Sequence, residues 1–144
     1  MTLDGIFAIG NSGLAAQAAR ITLIAQNLAN ANSVEASTGE PYQRRLPIFT
    51  PAAIDETPGA TAANGAAGGA GVRLAAVLTD TTPPQMVYDP TDPRADAAGM
   101  VAQPTVNPVY EMVDLMEASR SYQANLAVIQ TAHTAALKTL DLLK

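Results

Sequence analysis

The chain has 144 residues, 48% of them hydrophobic, with 13 acidic against eight basic side chains and a formal net charge of −5. This is the length of one domain, and the few scattered cations form no basic stripe to neutralise phosphates, which excludes nucleic acid as a partner. No cysteine is present, so disulfides, thiol nucleophiles and thiolate metal ligands are excluded together.

No run approaches the ~20 apolar residues of a membrane span. The first 19 residues hold no Lys or Arg and are interrupted by Asp4, Asn11, Ser12 and Gln17, so no cleavable secretory signal is expected. With two Phe, four Tyr and no Trp, the apolar content is mostly alanine and short aliphatics. Such a chain builds a thin, helix-on-helix core.

In residues 3–31, Phe7, Leu14, Ile21 and Leu28 recur every seven positions, with Leu3, Gly10, Gln17, Ile24 and Ala31 as a companion row. This is the spacing of a coiled-coil helix. Ile6, Ile9 and Leu23 form a second apolar set off that seam. Gly10 and Gly13 each cost ~1 kcal/mol relative to alanine inside a helix, which points either to a close helix approach or to a weak first turn. Asn27, Asn30, Asn32 and Ser33 cluster where the pattern fades, and such residues end helices by bonding their own backbone.

The middle has another texture. Residues 41–50 alternate in β fashion through Tyr42, Arg44, Leu46 and Ile48, with Pro47 confining the strand to an edge. Residues 58–71 are uncharged Ala/Gly sequence with the composition of a flexible loop. Strands are predicted over 72–78 and 85–88, turns over 89–94, and a last extended piece over 99–106.

Residues 108–144 read as one long helix. Met112, Ser119, Leu126, His133 and Leu140 make one heptad row, and Leu115, Tyr122, Ile129, Ala136 and Leu143 the other. Asn107 suits the N-cap and Pro108 the first turn. At ~1.5 Å per residue this helix reaches roughly 50 Å, too long to stand without a partner. Val113, Met116, Val128, Leu137 and Leu142 form a second stripe, and exposed contiguous apolar surface marks an interface.

The expected fold is therefore mainly α with a small β/loop insertion, its long terminal helices paired as an antiparallel coiled coil in an elongated molecule. Residues 1–33 and 108–144 form the helical domain, and residues 34–107 form the insertion. The expected assembly interface comprises Phe7, Leu14, Ile21, Ile24, Leu28, Met112, Leu115, Met116, Tyr122, Leu126, Ile129, Leu137 and Leu140.

No catalytic, cofactor or metal site is expected. His133 is alone, without a second histidine for zinc or a neighbouring carboxylate to orient it. Gly10-Asn11-Ser12-Gly13 lacks the second glycine and the preceding strand of a nucleophile elbow. The glycines of 65–71 lack the Lys-Ser/Thr of a phosphate loop. Asp89, Asp92 and Asp96 lack the alternating oxygens of a calcium loop. Glu111, Asp114 and Glu117 read as a solvated or inter-subunit helix face.

Two stretches carry a resemblance to a known family. Ser12-Gly13-Leu14 with Gln17, Arg20 and Asn27-Leu28-Ala29-Asn30 resembles the N-terminal signature of bacterial flagellar rod and hook axial proteins. Glu111-Met112 followed by Ala118-Ser119-Arg120 and Ser121-Tyr122-Gln123-Ala124-Asn125 resembles their C-terminal element. Within that group the chain is most similar to the proximal-rod proteins, through Pro41-Tyr42, Val87-Tyr88-Asp89-Pro90, Asp92-Pro93, Ala95-Asp96, Gly99 and Pro104-Thr105-Val106-Asn107. Asp92, Met100 and Thr105 depart from the family pattern, replacing His, Tyr and Asn.

The resemblance implies a structural rod subunit exported by the flagellum's type III apparatus without a cleaved signal. It implies helical assembly in the periplasm with copies of itself and with other rod subunits, from the base of the rod at the membrane ring, to carry torque. The residues alone leave a second reading, a soluble adaptor or export chaperone holding a partner's helix in a groove. A wall-cutting hydrolase lacks its pair of carboxylates.

Overall fold

The computed structural model describes residues 3–33, 40–53 and 70–141. Its elements are α1 (Leu3–Ala29), β1 (Arg45–Ala53), β2 (Ala70–Thr79), β3 (Gln85–Tyr88), β4 (Met100–Gln103) and α2 (Pro108–Asp141). Strands β1 and β2 form one antiparallel two-stranded ribbon, with a bulge between Ile48 and Phe49, and β3 and β4 form another. Most of the Ala/Gly stretch, together with Leu142 and Leu143 and the side chain of Leu140, lies outside what is described.

This overturns the expectation of a mainly α coiled coil. The chain is a mixed α/β fold in which α1 is packed by α2 on one side and by the β1–β2 ribbon on another. The physical reason lies in α1 itself, whose apolar residues do not keep to one seam. Ala16 lies beside Phe49 and Val72, and Ile24 beside Leu46 and Phe49. Leu23, expected on an exposed second stripe, is buried. The ribbon packs on α1 within the chain, while Val113, Met116, Val128 and Leu137 of the α2 stripe stay exposed.

The helices run antiparallel, along one of the two predicted α2 rows: Leu115, Tyr122, Ile129 and Ala136 are half-buried. The other row is displaced by one position, since Met112, Leu126 and His133, expected inside, are exposed, and Glu111, Ala118 and Asn125 turn inward instead. Both choices for that row keep the 3–4 spacing, and the larger apolar side chains pointed to the wrong one. The glycines mark where the helices meet. A Cβ on Gly10 would sit 2.6 Å from Cγ1 of Ile129, and one on Gly13 would sit 3.0 Å from Nδ2 of Asn125. The glycines therefore serve a close helix approach, giving room to Ile129 and Asn125. Phe7 meets His133 edgewise, with ring centroids 6.4 Å apart.

The core is thin. Among the described residues, the buried apolar side chains are Ala16, Leu23, Ile24, Ala31, Val101, Val106 and Ala118. Helix boundaries follow local chemistry. Asn30 Nδ2 donates to the Gln26 carbonyl, and Ser33 Oγ donates to that of Asn30, closing α1. At the start of α2, Asn107 Oδ1 accepts from the amides of Val109 and Tyr110 at 2.9 and 3.4 Å. That is an N-cap with proline in the first turn.

Between β3 and β4 the chain turns on its own aspartates. Asp89 accepts from the amide and hydroxyl of Thr91, Asp92 from the amide and guanidinium of Arg94, and Asp96 from the amides of Ala98 and Met100. Gly99 closes the turn at φ 76°, a left-handed conformation natural to glycine. Asp92, where the family pattern has histidine, is thereby tied to Arg94.

Two outcomes are expected. Gly10→Val should lower stability in urea unfolding by about 1–3 kcal/mol, because overpacking against Ile129 outweighs the gain in helix propensity. Gly13→Ala should change stability by no more than about 1 kcal/mol, since Asn125 can swing aside. The hydrogen bonds and charge of Arg94 hold Asp92 down to about 2. This depressed group stabilises the fold above its unfolded value near ~3.9 and loses that contribution as pH falls towards 2. An NMR titration should place its midpoint there, and Arg94→Ala should raise it towards the ordinary carboxylate range, the amide of residue 94 keeping part of the depression.

Candidate assembly interface

Three elements meet at the side chain of Asn27, which is 1% exposed. Its Nδ2 donates to the Arg45 carbonyl at 3.0 Å and to Glu111 Oε2 at 3.2 Å. Its Oδ1 accepts from the Arg45 amide at 2.9 Å and from the Tyr42 hydroxyl at 3.0 Å. Both donors and both acceptor positions of the carboxamide are thus used. Asn27 therefore binds α1 to β1 and α2, rather than ending its helix.

Glu111 is equally buried, at 1%, which corrects its reading as part of a solvated face. Its Oε1 accepts from Nε of Arg44, and Nη2 of Arg44 reaches Asp114 at 3.0 Å. Arg20 on α1 lies 3.9 Å from Asp114 and 3.6 Å from Glu117. Two arginines and three carboxylates thus continue the network outward from dry to wet. Burial pushes the pKa of the Tyr42 hydroxyl up, Glu111 adds to the rise, and the charge of Arg45 opposes it. Tyr42 is consequently a neutral donor at ordinary pH.

The motif residues of the two ends converge here. Arg20, Asn27 and Glu111 belong to the network. Ser12 donates to the Ile9 carbonyl and accepts from the Val72 amide at 3.1 Å, fixing α1 to β2. Gly13 faces Asn125. Gln17 Oε1 is buried with no hydrogen-bond partner among the described residues, beside an apolar groove of about 470 Å³ between the helices and the ribbon. Asn30 caps α1. Ser119 and Tyr122 are half-buried, and Arg120 and Gln123 are exposed.

Of the predicted interface residues, Ile24 is buried, and Phe7, Leu14, Ile21, Leu28, Leu115, Tyr122 and Ile129 are half-buried. Met112, Met116, Leu126 and Leu137 stand in solvent, with Val109 and Val113 beside the first two. Arg44 is the residue that sequence reasoning missed. Its signal was a charge at an otherwise apolar alternating position of the β1 approach, where an inward cation needs a carboxylate. No group of three or more His, Cys, Asp or Glu among the described residues is placed to hold a metal ion.

A chain knit inside by small and polar residues, with its longer helix keeping large apolar side chains outside, has the form of an assembly subunit. Residues 97–142 match a family model described as the C-terminal region of the flagellar basal-body rod FlgEFG proteins. The chain is 44% identical to the flagellar basal-body rod protein FlgC of Salmonella typhimurium over 142 residues, covering 99% of this chain and 98% of the relative. It is 45% identical to FlgC of Escherichia coli O157:H7, with the same coverage. It is 36% identical to FlgC of Agrobacterium fabrum over 137 residues, covering 94% of this chain and 91% of that one. The chain belongs to the FlgC family of flagellar basal-body rod proteins.

The network sets a testable order. Asn27→Ala leaves Tyr42, the Arg45 backbone and Glu111 short of partners in a buried place, and should cost about 2–4 kcal/mol in urea unfolding. Asn27→Asp should be at least as damaging, because it sets a second carboxylate against Glu111. Gln123→Ala, at an exposed motif position, should fall within ~0.5 kcal/mol of the parent.

Proposed function

We propose that the chain is a structural subunit of the flagellar basal-body rod, working by mechanical contact and without catalysis. The observation that carries this reading is the outer face of α2. Val109, Met112, Val113 and Met116 are exposed by 67, 51, 52 and 55%, and at i, i+3, i+4, i+7 spacing they form one continuous stripe. Contiguous apolar surface of this kind marks a contact, and the relatives' names supply the setting.

In that setting Met112, Met116, Leu126 and Leu137 meet neighbouring subunits, both copies of this chain and other rod subunits. Phe7, Leu14, Ile21, Ile24, Leu28, Leu115, Tyr122 and Ile129 hold the chain's own helices and ribbon together. Residues 1–33 and 108–144 make the assembling part, and residues 34–107 face outward from it. The rod lies in the periplasm, starts at the membrane ring and is supplied by the flagellar type III export apparatus without a cleaved signal. Carrying torque asks for stiffness, which a close helix approach at Gly10 and Gly13 and a buried polar clamp both supply. The adaptor or chaperone reading has no comparable support, since the similar proteins are named for the rod.

Replacing Val113 and Met116 together by Asp in a flagellated cell's own copy of the gene should abolish swimming in soft agar and leave basal bodies without rods in electron micrographs. The purified variant should keep the parent's far-UV circular dichroism. Normal swimming by that strain would overturn the reading.

A further inference from the structure

The β1–β2 ribbon has two edges, and they are unlike. Pro47 and Pro51 pair with Val77 and Val72. Proline has no N–H for a ladder bond, so these pairs are the non-hydrogen-bonded ones, and their backbone groups point out of the ribbon. Two observations agree with this parity. The Val72 amide donates outward to Ser12, and the Arg45 amide, opposite Thr79, donates outward to Asn27. Edge β1 therefore lacks two donors and has a third taken. On β2 the outward positions are Val72, Leu74, Val77 and Thr79, the step of three falling at the bulge.

Helix α1 guards only part of this. It touches the β2 edge at Val72 and the β1 edge at Arg45, so it crosses the ribbon diagonally and, among the described residues, leaves the β2 edge open from 74 to 79. That stretch is aliphatic, with Leu74, Val77 and Leu78 exposed by 40, 43 and 53%. It carries no proline. A two-stranded ribbon is marginal in water, and an open apolar edge is a template for another strand.

We propose that this open edge pairs antiparallel with the same edge of a second copy of the chain. The outward positions select that partner. They are symmetric about the midpoint between Ala75 and Ala76, so Leu74 faces Val77 of the other copy, and Val77 faces its Leu74, as hydrogen-bonded pairs. Charge agrees with the register. Arg73, which has no ion pair among the described residues, falls diagonal to Asp80 of the second copy, within reach of a long side chain, and the contact occurs twice by symmetry. Asp80 uses Oδ1 for Thr82, leaving Oδ2 for the arginine. A two-fold contact closes on itself. It cannot propagate a shaft, so it is separate from the α2 stripe and shields the ribbon edge of the unassembled chain.

Sedimentation equilibrium on the purified full chain over a concentration series tests this. The expected result is a monomer–dimer equilibrium with nothing larger. Val77→Pro places a second proline opposite Pro47 without removing a β1–β2 bond and should abolish the dimer. If that variant loses its circular dichroism, Leu74→Lys with Val77→Lys serves instead. Arg73→Glu should weaken the dimer roughly tenfold, and adding Asp80→Arg should restore it. A chain that stays monomeric at every soluble concentration overturns the proposal. So does a dimer indifferent to these changes, or one lost only when Met116 is replaced by Asp.

Discussion

A buried carboxamide with all its hydrogen-bonding positions occupied joins the parts of this chain. Asn27 touches α1, the start of β1 and the start of α2 at once, and the other joints are arranged around it. A buried amide contributes little net stability when satisfied, but losing its partners is costly. Its effect is therefore on uniqueness more than on depth. Sliding α2 along α1 by one turn would part Asn27 from Glu111, and sliding β1 by one residue would turn the Arg45 amide and carbonyl away. Glu111 acts in the same sense. A buried ion pair with Arg44 is weak evidence for stability, yet it penalises every arrangement that leaves either charge alone.

Around that clamp, small and polar residues share the helix contact with larger ones. Gly10, Gly13, Ala118 and Asn125 stand among half-buried Phe7, Leu115, Tyr122 and Ile129, while methionine, valine and leucine stand in water on the far side of α2. A chain with few aromatic residues can fill only a small interior. Close approach by small residues compensates, bringing many backbone atoms into contact at short range. The larger apolar side chains of α2 are left on its outer face.

Much of this was legible in the sequence, unevenly. The stretches that form helices showed in periodicity, and Asn107-Pro108 marked where α2 starts to the residue. Gln85–Tyr88 was readable as a strand because it is short and bounded by prolines and turn residues. The fold class was not legible. Heptad spacing cannot separate a seam at Met112 and Leu126 from one at Glu111, Ala118 and Asn125, since both rows obey the same interval. Nor does apolar periodicity in α1 say whether Leu23 faces a second chain or a ribbon that arrives later in the same one. The motif residues were visible as a pattern, but their physical roles depended on Arg44 and Tyr42, which meet them only in space. Asn27 looked like a helix-ending residue because asparagine is so often one; burial gave it another task.

The close approach of the two helices has a mechanical consequence. At Gly10 and Gly13 there is no room between α1 and α2 for one added carbon unless Ile129 or Asn125 gives way. Close-packed interiors compress little and transmit strain, so a joint without slack passes a push or a twist from one helix to the other. Along that stretch the two helices deform as one body.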